Sequence, residues 1–479
     1  KQNISHLKGL KRQLEKLNPE VLNLEAQIDL GLLKQSIATF LREFQQAKIW
    51  QYDPSLYLKI ILLGIDQITN RFALVKEDTE SNLRARIAQI PRLLKEAREN
   101  LKKSNYVYME VAVEMAQATI DYFRDAQLPL KKGTLKALEE FKTFLLAQPL
   151  RKFVSRDRDF LESVLKDSFS YKRDLKDIFD IAQAEYEKTI NRLAETAARI
   201  DPNKSWQKIL AAYKVRPKNS KELLGLYAGQ VQRLKDFFQG KDIIAAETSQ
   251  DIKVRQTPGF MRPVRASASY SAPVTTDRRE SGYFYITADY GQVESSESSL
   301  YGDIHSEYIF VSAHETYPGH HLLDTLRRNL KNPIRRQIES PFFYEGWASY
   351  AEWLIDELGY IDNPLQRLVG LRRQAWRTVR AMLDIGIRID KFKAADAQRM
   401  LEGLGYEHKT VKSMVRHYLL TPGYQLCYTI GKFEIENLRK KFEKKLGLKK
   451  FHQLLLDGGQ IPFDMVARRI EEYLCQRNS

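Results

Sequence analysis

The sequence predicts a mainly α-helical protein, a large helical body interrupted once by a small antiparallel β-sheet. Three observations carry that expectation. Apolar residues recur at three-to-four spacing over most of the chain, as in LRARIAQIPRLLKEAREN between Leu83 and Asn100. The periodicity disappears between Asp251 and Gly302, where Ser, Thr, Tyr, Pro and Gly crowd in. It returns at Glu307 and lasts to the C-terminus. The expected organisation is an N-terminal helical region (1–250), a small strand and loop region (251–302) and a C-terminal helical region (303–479) carrying the chemistry.

Within the first region the breaks fall at turn residues. Asp53-Pro54 starts one helix, Pro129 and Gly133 separate two others, and Asp201-Pro202-Asn203 closes the run from Ser170 to Ile200. In the middle, Val264 to Ala272 and Tyr283 to Ala288 read as strands, with Arg278 to Ser281 as a polar turn between them. Asn332-Pro333, Pro341, Gly359, Asn363-Pro364 and Pro422-Gly423 punctuate the last region. No fixed-period repeat supports a solenoid.

Composition bounds the function. At 479 residues the chain has room for roughly three domains of about 150 residues. Two cysteines, Cys427 and Cys475, exclude a disulfide scaffold and a Cys-based zinc finger or iron–sulfur site. No apolar run reaches the roughly 18 residues of a transmembrane helix; Leu56 to Ile65 is short and broken by Lys59. The start at Lys1 and the basic charge tilt the expectation toward an exported, periplasmic bacterial protein whose signal has been removed. The net charge of +16 is spread among acidic residues. Its densest groups, Arg327 to Arg336 and Arg439 to Lys450, sit in helical patterns and read as solvated faces, so no nucleic-acid partner is expected.

The chemistry lies in one octapeptide, His314-Glu315-Thr316-Tyr317-Pro318-Gly319-His320-His321. Metalloproteases of the H-E-x-x-H type place two histidines one helical turn apart with the glutamate as base. Here Pro318 occupies the fourth position, and deleting Pro318-Gly319 would restore the motif. The expectation is a helix widened or kinked by Pro-Gly, bringing His320 onto the His314 face. In an unbroken helix six residues rise about 9 Å and leave His320 about 120° away. His321, seven residues on, is the alternative ligand. A catalytic zinc commonly takes three protein ligands, and His₂Glu is one such set. Glu345, 25 residues after His320 in YEGWASYAEWL, supplies the third, and Glu352 two turns later the acceptor that orients a ligating histidine.

HETYPGHH, YEGWASYAEWL and TPGYQLCYTIGKFEI together resemble the bacterial domain-of-unknown-function 885 family, as do IWQYDPSLYLKI, RIAQIPRLLKEARENL and SASYSAP. That family is similar to helical zinc peptidases of the thimet-oligopeptidase and thermostable-carboxypeptidase type. The resemblance implies a zincin-like, neurolysin-type fold with a deep cleft and the small sheet along one wall.

Peptide hydrolysis sets the remaining roles. One Zn²⁺ per chain would activate water, and Glu315 would take its proton and return it to the leaving amine. Tyr428, with Tyr424 as substitute, would donate to the oxyanion. Arg416, beside His417, suits bidentate capture of a substrate carboxylate, which would mean carboxypeptidase action. Tyr270 and the Tyr283 to Tyr285 strand would offer an edge to an extended peptide. His305 falls outside the ligand set. No G-x-S-x-G elbow, P-loop or G-x-G-x-x-G fingerprint supports another enzyme class. The substrate is a peptide or other small amide. Three alternatives stay open: a hydrolase of non-peptide amides or esters, a binding protein on a retired peptidase scaffold, and an anion-binding helical scaffold.

Overall fold

Asp53 Oδ1 accepts the Ser55 backbone N–H at 2.8 Å and opens α1 (Ser55–Asp66), so the Asp-Pro signal marks a helix start. The computed structural model describes residues 2–71, 79–151 (apart from 103, 127, 130 and 150), 158–244, 251–287 (apart from 263, 264, 266 and 274–279) and 305–478. Arg278 and Arg279 of the expected Arg278 to Ser281 turn lie outside the described residues. The chain forms two units that are not consecutive segments. The smaller comprises Arg42–Val154 and Lys253–Ala288, the larger Lys1–Leu41, Ser155–Ile252 and Asp289–Ser479. The composition segments do not follow these units, because a three-stranded sheet cannot bury a core alone. Met261, from the strand-rich stretch, packs into the apolar cluster of the smaller unit.

That cluster is built by helical periodicity. Leu58, Leu62 and Ile65 of α1 meet Leu94 of α2 (Ile90–Asn100), Phe123 of α3 (Tyr106–Asp125) and Phe141 of α4 (Lys131–Leu146). The stretch from Leu83 to Asn100 is two helices, Thr79–Ala88 and α2. Pro91 sits in the first turn of the second, where a missing N–H leaves no helical bond unmade.

The sheet has the order β1–β3–β2, with β1 (Ile252–Gln256), β2 (Ala268–Ser271) and β3 (Gly282–Ile286). β2 and β3 pair antiparallel from Ala268↔Ile286 to Ser271↔Tyr283. The sheet as a whole is mixed, which corrects the all-antiparallel expectation. β1 carries no strand signal, because its IKVRQ offers two apolar positions only. The long connection from β1 to β3 permits a crossover that a tight hairpin would forbid.

In the larger unit, Asp174 caps α5 (Leu175–Ile200) and Asn219 caps α6 (Ser220–Lys241). The helices that carry the site follow: α7 (Tyr308–Glu315), α8 (His320–Arg328), α9 (Pro341–Glu357), α10 (Pro364–Gly386), α11 (His408–Leu419) and α12 (Cys427–Leu446). α10 packs along α5, and α9 along α12. The α9–α12 crossing is glycine on glycine: a Cβ on Gly346 would lie 2.7 Å from Gly431 Cα. This close approach brings Glu345, beside Gly346, against Tyr428, one turn before Gly431. Among the described residues no helix is long and apolar enough to cross a membrane.

Candidate metal centre

The octapeptide is two helices rather than one distorted helix. α7 ends at Glu315, residues 316–319 reverse the chain, and α8 begins at His320. The kinked-helix expectation is corrected here, and the cause is local. Pro318 has no N–H to continue the ladder and follows a cis Tyr317–Pro318 peptide bond. At Gly319 the backbone folds onto the end of α7: a Cβ would fall 1.9 Å from the His314 carbonyl oxygen and 2.4 Å from that of Ala313. Only glycine fits. Trp347 Nε1 donates to the Pro318 carbonyl at 2.8 Å and ties the reversal to α9. The rings of His314 and His320 end 4.5 Å apart.

Glu345 completes a triangle with them. Its Oε2 lies 3.3 Å from His314 Nε2 and 3.5 Å from His320 Nε2, and all three residues are buried. Four-coordinate zinc with bonds of about 2.1 Å separates its ligand atoms by about 3.4 Å. Glu345 Oε2 and His320 Nδ1 are buried without a hydrogen bond. An orphaned carboxylate oxygen facing two imidazoles is the donor set a divalent cation takes, so the residues fit zinc. Burial pushes the Glu345 carboxyl up, but the imidazoles of His314 and His320 hold it well below the usual range. Burial opposes charge on His320 as well, and Glu345 reverses this to a net rise. Glu315, half-buried at the end of α7, places a carboxylate oxygen within 4.8 Å of donor atoms of both histidines. His321 lies outside that group, with its ring edge-on to Tyr317 at 5.2 Å.

Behind His314 stands an ion-pair network. Glu352 Oε1 lies 3.0 Å from His314 Nδ1, an acceptor placed for an Nδ1–H, the tautomer that would leave the Nε2 lone pair facing Glu345 Oε2. Arg377 Nη2 approaches the same Nδ1 at 3.1 Å. Arg373 Nε and Arg377 Nη1 bind Glu352 Oε2 at 3.0 and 2.5 Å, and Arg373 Nη1 reaches Glu307 Oε2 at 2.7 Å. Burial would raise the Glu352 carboxyl, yet Arg373 and Arg377 hold it far below the usual range. Tyr344 stacks on the His320 ring at 3.8 Å.

The two tyrosines share one oxygen. Tyr428 Oη donates to Glu345 Oε1 at 3.1 Å, and Tyr424 Oη donates to the same atom. Burial raises the pKa of both phenols. Asp384 on α10 holds their turn, accepting the backbone N–H of Gly423 at 3.0 Å and of Gln425 at 2.9 Å. Gly423 itself needs φ +84°.

Other expected residues fall elsewhere. On α11, Arg416 is half-buried and His417 exposed, and Tyr418 of that helix accepts from Trp376 Nε1 at 2.7 Å. Tyr270 is half-buried in β2 of the smaller unit, opposite Phe284. His305 Nδ1 meets Tyr227 Oη at 3.2 Å, and burial brings its pKa down to about 4. Sequence reasoning missed Arg373, Arg377, Arg380 and Asp384. Their signal is present in RRQAWRTVRAMLDIG: charges recur at helical spacing on α10 amid apolar residues.

A family model described as a bacterial protein of unknown function (DUF885) matches residues 1–470. The chain belongs to that family. It is similar to the structure of a putative lipoprotein of unknown function from Shewanella oneidensis, at 20% identity and a TM-score of 0.74 over 98% of this chain and 91% of that one. It is also similar to that of the putative lipoprotein from Colwellia psychrerythraea, at 17% identity and a TM-score of 0.81 over 99% and 91%. No curated protein matches it. At these identities the two structures establish the shared fold alone.

Proposed function

We propose that this protein is a zinc-dependent peptidase. The observation that carries the reading is the triangle of His314 Nε2, His320 Nε2 and Glu345 Oε2, with its 3.3 and 3.5 Å edges and its orphaned carboxylate oxygen. These three residues would hold one ion per chain. When bound, zinc supplies Lewis acidity and lowers the pKa of coordinated water to about 7. Glu315 accepts the proton of the attacking water on its carboxylate and returns it to the amine as the C–N bond breaks. Glu352 keeps the His314 lone pair directed at the ion. Tyr428 or Tyr424, on turning from Glu345 Oε1, presents an O–H to the developing oxyanion. The two structural relatives are described as putative lipoproteins, which supports an exported location.

The test pairs metal content with turnover of a peptide library. Glu315→Gln is expected to bind zinc like the wild type and to lose turnover. Wild-type rate in that variant would refute the mechanism. A wild type that takes up no zinc would favour a binding protein on a retired scaffold.

A further inference from the structure

Eight arginines are buried among the described residues: Arg42, Arg335, Arg372, Arg373, Arg377, Arg380, Arg388 and Arg439. Seven have a carboxylate at ion-pair distance, including Glu307 for Arg372, Glu352 for Arg373 and Arg377, and Asp384 for Arg388. Arg380 alone has none. Its Nε and Nη2 both donate to Gln425 Oε1, a neutral oxygen, at 2.8 and 2.6 Å. Its guanidinium otherwise hydrogen-bonds the Tyr428 side chain, feels the Glu345 carboxylate without pairing it, and faces the rings of Tyr428, Trp376 and Tyr418, with centroids 4.2, 4.6 and 4.8 Å away. Asp384, one turn along α10, is committed to Arg388 and to the 423–425 backbone.

A guanidinium taken out of water without a counter-ion is costly, and a neutral acceptor across its fork compensates poorly. The fork geometry matches a carboxylate, with two parallel charge-assisted bonds. Arg380 also lies one tyrosine ring from the metal triangle, because Tyr428 touches both Arg380 and Glu345 Oε1. Peptide Cα atoms are about 3.8 Å apart, so a carboxylate held there leaves the scissile carbonyl one or two residues away.

We propose that Arg380 is the anion receptor of this centre and binds the C-terminal carboxylate of a peptide substrate, which makes the protein a carboxypeptidase. This rests on the peptidase reading. Water adds to the carbonyl, the C–N bond one or two residues from the bound terminus breaks, and the released amine takes the proton. Gln425 fills the fork until the carboxylate replaces it. Arg380 takes the role that the sequence suggested for Arg416.

The experiment compares N-acetylated peptides bearing a free C-terminal acid with the same peptides amidated. Zinc-loaded wild type is expected to prefer the acids by at least about 100-fold in kcat/KM. Arg380→Met should shrink that preference to within about threefold, mainly through KM, with zinc content unchanged. Gln425→Glu covers the case in which Arg380→Met does not fold. It places an internal carboxylate in the fork and should raise KM for the acids about tenfold while sparing any amide cleavage. Calorimetry on metal-free protein adds a readout without turnover: an N-acetyl amino acid should bind and its amide should not. Equal rates on acids and amides in a zinc-loaded, active wild type would overturn the Arg380 proposal and leave the peptidase reading standing. Failure to bind zinc or to cleave either peptide would overturn the peptidase reading, and the carboxypeptidase assignment with it.

Discussion

The smaller unit gathers Leu58, Leu62, Leu94, Phe123, Leu138 and Phe141 into an apolar cluster, whereas the larger unit buries His314, His320, Glu345, Glu352, Arg373, Arg377 and Arg380 at the heart of its helices. The first interior is stabilised by area removed from water, at about 25 cal/mol per Å² of apolar surface. The second must overcome the desolvation of its charges by pairing them, as it does for all of these but Arg380, and replacing such pairs with apolar residues often costs nothing. Interiors of this second kind occur where chemistry uses perturbed groups. The contrast sets an apolar cluster that answers to stability against a charged cluster that we propose answers to a site.

Substitutions can break that separation. Glu315→Gln is expected to lower kcat by about 10² to 10⁴ with melting temperature and zinc content unchanged. Steady-state kinetics beside elemental analysis checks this. Phe141→Ala in the smaller unit should cost about 3–5 kcal/mol in urea denaturation and leave zinc affinity alone. A parallel loss of zinc would mean the two interiors are not independent. Glu352→Gln removes the negative charge behind His314 and should weaken zinc binding about 10- to 100-fold in a chelator competition.

The last expected effect is the response to acid. All eight histidines lie in segments of the larger unit. Burial brings His305 and His452 down to about 4. Between about 6.5 and 4 the unfolded chain binds a proton at each that the folded chain refuses. Stability therefore falls as pH is lowered through this window, by about 1.4 kcal/mol per pH unit per histidine, and levels off below it. Denaturation of metal-free protein at pH 5 and 7 measures the slope. A flat profile would contradict burial of neutral imidazoles.

Legibility in the sequence follows the same divide. The mainly helical fold and the helix starts at Asp53-Pro54 and Asn363-Pro364 are readable because period and turn chemistry are local. His314, His320 and Glu345 stand out by residue type and spacing. What the Pro-Gly insertion does was not readable, since the reversal depends on Gly319 fitting against the His314 carbonyl. The arginines of α10 were missed for a further reason. An arginine in a helical pattern reads as solvated unless its partner is known, and the partners Glu307, Glu352 and Gln425 come from other segments. β1 escaped because five residues with two apolar positions carry little periodicity.

The most direct test of the central claim is the zinc content of protein purified without chelator, beside His314→Ala prepared in the same way. The metal centre predicts about one zinc per wild-type chain and its loss in the variant. A wild type that holds no zinc even after the ion is added back, or a variant that retains it fully, would contradict the assignment.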